Sequence, residues 1–422
     1  MRFIRRFRFF VLLALFAVVF EFGILKFRAG ADEPPRLFVL QPGDLVETRR
    51  RLQANDAALL PALNILKRDA DHALNGGTFS VVNKELVPPS GDKHDYISVA
   101  PYWWPNPNTP NGLPYIRRDG EVNPERDQTS DRKRLDNLVQ NVKTLALGYF
   151  LTGREDYAAH AAKLLRVWFL DGATKMNPRL RYAQAVPGRN VGRGAGIIET
   201  HNLPELLDAV GLLAASKAWS SNDHKALQAW FAAYLTWLME SPEGKAESRT
   251  ENNHASWYDV QIASFALFVD KKEIAGRILS EMPAKCIAKQ IEPDGRQLGE
   301  LERTQAWSYS LFNLEALFDA AAIADKLGID LWNYQTRDGR SVRKALDWLV
   351  PFATGEKKWS YRQISGWHPE TLAPFLRRAA VRYGDAKYDE AISKLSGMIT
   401  DHRMHLLFPP PAPSKPNSSA AK

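Results

Sequence analysis

The chain has 422 residues, of which 45% are hydrophobic and 25% charged. That balance excludes a disordered chain, a fibre and a multi-span membrane protein. The net charge of +8 is concentrated at the start: residues 1–31 carry six basic side chains against Glu21, leaving 50 basic and 47 acidic residues in the remainder. With no basic tract of the kind that follows a phosphate backbone, nucleic acid is excluded as a partner. Cys286 is the single cysteine, which rules out an intramolecular disulfide and a cysteine zinc cluster.

Residues 1–31 read as an export signal. Arg2, Arg5, Arg6 and Arg8 form a basic start, residues 9–20 are uncharged and apolar, and Ala29-Gly30-Ala31 fits a small-x-small cleavage site. The alternative is an uncleaved anchor, but Glu21 cuts the apolar run short of the roughly 20 residues that a span needs. The expected location is periplasmic or secreted, with no stable membrane insertion after cleavage. At the other end, residues 406–422 hold Pro409, Pro410, Pro411, Pro413 and Pro416 and are expected to be a disordered tail. Residues 32–405 lie between as one folded domain.

That domain reads as helix after helix. Residues 44–74 form the first expected helix. Residues 136–151 follow, with Leu138, Val139, Val142, Leu145, Ala146 and Tyr149 at helical spacing and Gly153 as the stop. Further helices are expected over 155–170, 204–219, 225–239, 254–268, 271–281, 309–326, 341–352, 369–383 and 388–402. Strand-like alternation is scarce. Short turns such as Leu151-Thr152-Gly153-Arg154 join consecutive amphipathic segments, which predicts an all-α fold of antiparallel hairpins stacked into a superhelix or closed ring. A tetratricopeptide array is excluded because no 34-residue period repeats. Two long segments interrupt the helices, 79–134 and 172–200, and loops of that length in a compact fold carry function or are disordered; the aromatics of the first argue for order.

Four constellations carry candidate chemistry. In Glu251-Asn252-Asn253-His254, an amide and an imidazole meet at a helix start; one asparagine can cap the helix, and the imidazole can take a proton near neutral pH. In the segment from Arg303 to Tyr309 the two named residues lie six apart. A regular helix would separate them, whereas a loop-to-helix break would let the guanidinium pair a carboxylate and the phenol exchange a proton in one cleft. A phenol lowered by nearby cations would suit that exchange. Glu199-Thr200-His201-Asn202 adds a second imidazole and amide, with Asn202 also placed to cap a helix that has Pro204 in its first turn. Finally, Lys93 and His94 precede Tyr102-Trp103-Trp104, cations and aromatic faces of the kind that bind acidic sugars. Each constellation also has a plain structural reading as a cap, an ion pair or a loop anchor. The glycines at 188, 192, 194 and 196 do not form a phosphate loop, since no Gly-Lys-Ser/Thr follows. No histidine or carboxylate spacing suggests a metal site.

Taken together, Lys93-His94-Asp95-Tyr96, Tyr102-Trp103-Trp104-Pro105, Glu199-Thr200-His201-Asn202, Asn252-Asn253-His254 and the 303–309 segment resemble the alginate lyase superfamily over roughly residues 55–385. The resemblance implies an incomplete (α/α) toroid and β-elimination on a 1,4-linked polyuronate, either mannuronate-rich alginate or β-1,4-glucuronan, leaving 4,5-unsaturated uronate ends. It implies Tyr309 as acid, and also as base where proton and leaving group share a face. His254 would be the base in the opposite geometry, or would help neutralise the uronate carboxylate, which Arg303 with Asn253 or Asn202 would hold. Lys93, His94, Tyr102, Trp103, Trp104, His201, Tyr258, Gln297 and Glu302 are the substrate-binding candidates. The implied partner is an acidic polysaccharide, and no metal or organic cofactor is implied. Two other classes remain open to the residues: an inverting hydrolase using two of Glu300, Glu302, Asp259 and Asp294 at about 6.5–9.5 Å, and a non-catalytic polysaccharide-binding protein.

Overall fold

The structure, a computed structural model, describes residues 34–129, 131–399 and 403–411. The expected export signal lies outside the described residues. Twelve helices of ten or more residues are found among those described. They are α1 (Pro42–Gln53), α2 (Leu60–Leu74), α3 (Arg132–Thr152), α4 (Glu155–Leu165), α5 (Leu203–Leu212), α6 (Ser221–Glu240), α7 (Asn253–Phe268), α8 (Lys272–Met282), α9 (Ala306–Asp325), α10 (Val342–Ala353), α11 (Ala373–Tyr383) and α12 (Ala386–Leu395).

Their packing follows from which faces are apolar. α2, α3, α5, α7 and α9 form a row in which each touches the next, while α4, α6 and α8 pack against members of that row. Helices in the middle of such a row are covered all round, so they must be apolar all round. α7 shows this: from Ala255 to Phe268 every residue is buried, including Ser256, Asp259, Gln261 and Ser264. Its neighbour α9 is buried almost as completely. α11 and α12 form a further hairpin, and the short helix Met404–Leu407 packs on α1, α2 and α11, joining the two ends of the arc. This is an all-α, toroid-like arrangement of helix hairpins. Among the described residues, no helix is long and apolar enough to cross a membrane.

Several helix bounds differ from expectation for local reasons. The segment 44–74 is two helices, because Asn55 turns left-handed (φ 57°) and the Asp56 carboxylate accepts from Arg51 Nε at 2.7 Å and from the Ala58 N–H at 3.0 Å. The helix expected over 204–219 stops at Leu212, where Ser216 Oγ accepts from the Ala218 N–H and donates to Glu155. That expected over 155–170 ends in a widened turn at Arg166–Leu170. The helix expected to reach 402 stops at Leu395. The expected tail from 406 begins with packed residues: Leu406 and Phe408 are buried, and the Pro410 carbonyl accepts from Arg51 Nη1 at 2.5 Å. Residues 412–422 lie outside the described residues.

The long segment 79–134 is ordered by buried charge. Lys84 Nζ donates at 2.6 Å both to the Asp131 carboxylate and to the Asp95 carbonyl, with side-chain exposures of 2% and 0% for the ion pair. Asp131 also accepts from the Ile97 N–H at 3.0 Å. Ile97–Val99 pairs in parallel with Tyr182–Ala185, and Trp103–Trp104 pairs antiparallel with Ile116–Arg117. The two long loops are thereby joined to each other and laid against the helical row.

Candidate active site

α7 begins at Asn253, and Asn252 is its cap: Asn252 Oδ1 accepts from the His254 N–H at 3.3 Å. Capping by Asn252 leaves Asn253 for another task. The Asn253 N–H and Nδ2 both donate to the Glu300 carboxylate, at 2.8 and 2.7 Å. Asn253 and Glu300 are both buried, and burial raises the Glu300 carboxyl above its ordinary value against those two donors. His254 is partly exposed, and its Nδ1 lies 2.5 Å from Glu247 Oε1 on the short helix Pro242–Glu247. The tautomer with its proton on Nδ1 donates to Glu247 and leaves the Nε2 lone pair outward.

Glu300 sits in the short helix Leu298–Leu301, which ends before α9 starts at Ala306. In the break between them lies Arg303. The interruption turns Arg303 back over its neighbour, so that the guanidinium carbon is 3.7 Å from the centre of the Tyr309 ring. Arg303 is held in that pose by Asp119, with Nε 3.1 Å from Oδ2 and Nη2 2.8 Å from Oδ1. The Thr304 N–H and hydroxyl donate to the same carboxylate, each at 3.2 Å. Burial opposes the charge of Asp119, but Arg303 and Thr304 outweigh it and hold the carboxyl well below the usual range. The segment is backed by a second strand-like contact, in which Ala306 N–H donates to the Arg362 carbonyl and Ile364 N–H to that of Thr304.

The Tyr309 hydroxyl lies 2.5 Å from that of Tyr102. Burial is the largest influence on Tyr309 and pushes its phenol well above the ordinary value of 10, with Tyr102 adding to the rise and Arg303 opposing it. The expected lowering by nearby cations is therefore reversed: one guanidinium does not offset removal from water.

His201 belongs to the same neighbourhood. Its ring packs edge-on against Trp257 at 5.0 Å and Phe312 at 5.1 Å. These follow His254 and Tyr309 by three residues each, so His201 is one turn further along both helices. Its Nδ1 lies 2.9 Å from the Ile198 carbonyl, and burial with Arg132 nearby lowers the imidazole to about 4. Asn202 does not cap α5. Its backbone is helical, its Nδ2 donates to Asp136 at 3.4 Å, and its Oδ1 is buried without a partner.

The other candidates sort by their contacts. Tyr102 meets Tyr309 directly. Trp103 and Trp104 are half-buried in the same loop, but guanidinium groups already lie over both rings, Arg189 at 5.1 Å and Arg118 at 5.3 Å. His94 Nδ1 is tied to the Lys175 carbonyl at 2.6 Å, and Lys93 is exposed. No contact joins Lys93 or His94 to the Tyr309 group. Tyr258 is buried, with its hydroxyl donating to the Leu238 carbonyl at 2.9 Å. Gln297 is buried, its amide spent on the Ser310 carbonyl and Asn313. Both are core residues whose polar groups are bonded to core partners. Glu302 is exposed. Of the hydrolase carboxylates, Glu300 serves Asn253, Asp259 pairs with Lys285 at 2.6 Å and Asp294 with Arg296 at 2.7 Å. Among the described residues, no group of three or more histidines, cysteines or carboxylates is placed to hold a metal ion.

Sequence reasoning missed Asp119 and Glu247 and cast Glu300 in another role. Glu247 stands seven residues before His254, and a helical turn between the two is the signal that could have found it. Asp119 carries no local signal, since it reaches Arg303 across 184 positions.

Comparison with known proteins gives a family. The family described as alginate lyase matches residues 80–359, two thirds of the chain. The crystal structure of an alginate lyase from Bacteroides ovatus is 40% identical, covering 89% of this chain and 99% of that one, with a TM-score of 0.85. Alginate lyase A1-III from Sphingomonas species A1 shares the fold at 16% identity and TM-score 0.53, over 82% of this chain and 95% of that one. A variant of alginate lyase A1-III complexed with a tetrasaccharide also shares it, at 16% identity and TM-score 0.57, over 90% of this chain and 97% of that one. No curated protein matches the chain. The family match over most of the helical row and the 40% identity along nearly the whole chain establish that this protein belongs to the alginate lyase family of polysaccharide lyases.

Proposed function

We propose that the protein cleaves a 1,4-linked polyuronate, mannuronate-rich alginate in the first place, by β-elimination. The observation that carries this reading is a single connected group: Glu300 joins Asn253 and His254 to the segment bearing Arg303 and Tyr309, and Tyr102 closes over the phenol. Affinity for an anionic polymer agrees with the tetrasaccharide complex of alginate lyase A1-III. Of the four carboxylates of the hydrolase reading, Glu300, Asp259 and Asp294 are engaged in separate places and Glu302 is exposed, which argues against a paired acid and base of that kind.

The chemistry follows from the protonation states. The C5 proton of a uronate is weakly acidic because the adjacent carboxylate can share the negative charge formed when it leaves. Arg303 uses Nε and Nη2 on Asp119, leaving Nη1 for that carboxylate. His254, aligned by Glu247, takes the C5 proton on Nε2. The electron pair of the C5–H bond forms the C4–C5 double bond, and the C4–O4 bond breaks. Tyr309, kept protonated by burial, gives its proton to O4, and the proton on His254 returns to the phenolate through Tyr102 or solvent. β-1,4-Glucuronan differs from polymannuronate at C2 and not at the eliminated positions, so it is the second substrate to try. Export through residues 1–31 to the periplasm or medium fits a polymer substrate that does not enter cells.

The test is the ultraviolet absorbance of the conjugated unsaturated uronate. Mature protein is incubated separately with polymannuronate, polyguluronate and glucuronan, beside a Tyr309→Phe control. A rise that the control loses supports elimination and identifies the polymer. No rise on any of the three overturns the reading. The base is read from the pH profile of kcat/KM: an ascending limb in the imidazole range supports His254, and one in the phenol range assigns the base to Tyr309.

A further inference from the structure

The glycine-rich stretch 188–196 has no phosphate-loop sequence, yet its packing is among the closest in the chain. Arg193 lies within it between Gly192 and Gly194. A Cβ at Gly192 would stand 2.0 Å from the Arg181 carbonyl oxygen, and one at Gly194 would stand 2.7 Å from that of Glu243 and 3.3 Å from the Glu247 nitrogen. Neither position admits a side chain. The chain is therefore pressed against the residue that aligns His254, and the root of Arg193 is fixed there. Its N–H donates to the Ala183 carbonyl at 3.1 Å.

The guanidinium placed by this packing is underused. Among the described residues its side chain makes one hydrogen bond, from Nη2 to Gln184 Oε1 at 2.6 Å. Its Nε is buried without a partner, and no carboxylate lies within ion-pair distance. Gln184, which orients it, is buried and left-handed at φ 49°, a conformation that a non-glycine residue adopts under constraint. The neighbouring cations differ. Arg303 and Arg117 share Asp119, and Arg132 is paired with Glu199 and Asp136. Burial and Arg117 both weigh against the charge of Arg193, with Glu199 and Glu247 on the favourable side. A desolvated guanidinium with an unmet donor is poised for a carboxylate, which would supply both the charge and the acceptors that are missing.

We propose that Arg193 binds a second uronate carboxylate of the polymer, on the His254 side of the reacting sugar. This rests on the polyuronate-lyase reading and adds a binding residue to it. The reacting carboxylate stays with Arg303, and Arg193 sets the register of the chain by pairing the next one. A polymer with one carboxylate per sugar suits two guanidinium groups on adjacent walls, whereas a neutral polysaccharide would leave Arg193 unpaired.

The experiment compares Arg193→Gln and Arg193→Lys with the parent enzyme on polymannuronate, measured at several salt concentrations. Arg193→Gln is expected to raise KM about tenfold or more, leave kcat within about twofold, and flatten the dependence of KM on salt. Arg193→Lys keeps the charge and recovers most of KM. The melting temperature of Arg193→Gln does not fall, because a desolvated charge has been removed. A KM for Arg193→Gln within about twofold of the parent overturns the proposal. So does an equal loss of kcat and KM in both variants with lowered melting and an unchanged salt dependence, the outcome of a purely structural arginine. If the parent itself forms no unsaturated product, the lyase reading has failed and Arg193 is judged separately, by retardation in gels containing polymannuronate. Retardation lost in Arg193→Gln then supports the carboxylate contact, and equal retardation overturns it.

Discussion

Replacing Asp119 by Asn tests whether the site is assembled by charge across the two loops. Asp119 receives two near-parallel donors from Arg303 and two more from Thr304. The ion pair is neither open nor sealed, with side-chain exposures of 15% for Arg303 and 23% for Asp119. Its rupture should cost more than the 0–1 kcal/mol, roughly, of a surface pair and less than the 3–5 kcal/mol, roughly, of breaking a buried one, hence about 2 kcal/mol. If that energy serves to hold Arg303 over the Tyr309 ring, kcat/KM falls roughly 30-fold. Arg117 supplies the internal comparison. It bonds the same carboxylate at 2.6 Å but is 55% exposed, so Arg117→Ala should cost less than about fivefold. Both variants are assayed by formation of unsaturated product on polymannuronate, with circular dichroism as a check on folding. An Asp119→Asn enzyme within about twofold of the parent, or losses equal in the two variants, would refute the argument that Asp119 positions Arg303.

Three further perturbations address other parts of the molecule. Glu247→Gln removes the negative charge from the acceptor that selects the His254 tautomer and offers an NH2 group in competition with the amide oxygen, and kcat should fall about tenfold or more with little change in KM; a change confined to KM would assign Glu247 to binding instead. Asp208→Ala strips the acceptors from the N–H groups of Phe38, Val39 and Leu40, which its carboxylate binds at 2.5, 3.1 and 2.7 Å. With those donors stranded in the core, unfolding in urea should show a loss of about 3 kcal/mol or more, and a loss under about 1 kcal/mol would show that the segment finds other partners. For His201, the folded pKa of about 4 lies below the ordinary 6.5. The unfolded chain therefore binds the extra proton first, and this contribution to stability, complete above 6.5, declines as pH falls from there towards 4. In NMR the His201 ring should remain neutral from pH 8 down to about 5, and a midpoint near 6.5 would contradict the burial assigned to it.

The helical fold was legible because burial on one face repeats with the helix period. In α3, Leu138, Val139, Val142, Leu145 and Ala146, read as apolar positions from the sequence, are buried, and Tyr149, read with them, is half-buried. Bounds failed where a polar side chain rather than an apolar pattern decides. Leu52 and Leu59 both point into the core across the break at Asn55, so the periodicity runs on while the backbone does not. The aromatics of 79–134 pointed to order, but the contact that ties it down was hard to foresee. It depends on Lys84 meeting Asp131, 47 positions apart, and a lysine in a loop ordinarily signals solvent.

The residues proposed to react drew notice in the sequence for a different reason: amide, imidazole, guanidinium and phenol stand beside helix starts, where a side chain can be aimed while its backbone is still constrained. Their supports were not, because Asp119, Glu247 and Glu300 each resemble an ordinary surface acid until the fold brings them to a partner. The same asymmetry explains the misplacement of Gln297 and Tyr258. Each lies near a candidate segment in the sequence, but its polar atoms are bonded within the core, to Ser310 and Leu238 respectively. Proximity along the chain is thus a weak guide to which polar groups remain open to a ligand. Arg193 inverts that lesson. It belongs to none of the four constellations, yet its flanking glycine at 194 lets the backbone approach Glu247 closely. The feature that marks it as a candidate ligand contact is a buried donor with nothing to bond, and that becomes visible only in three dimensions.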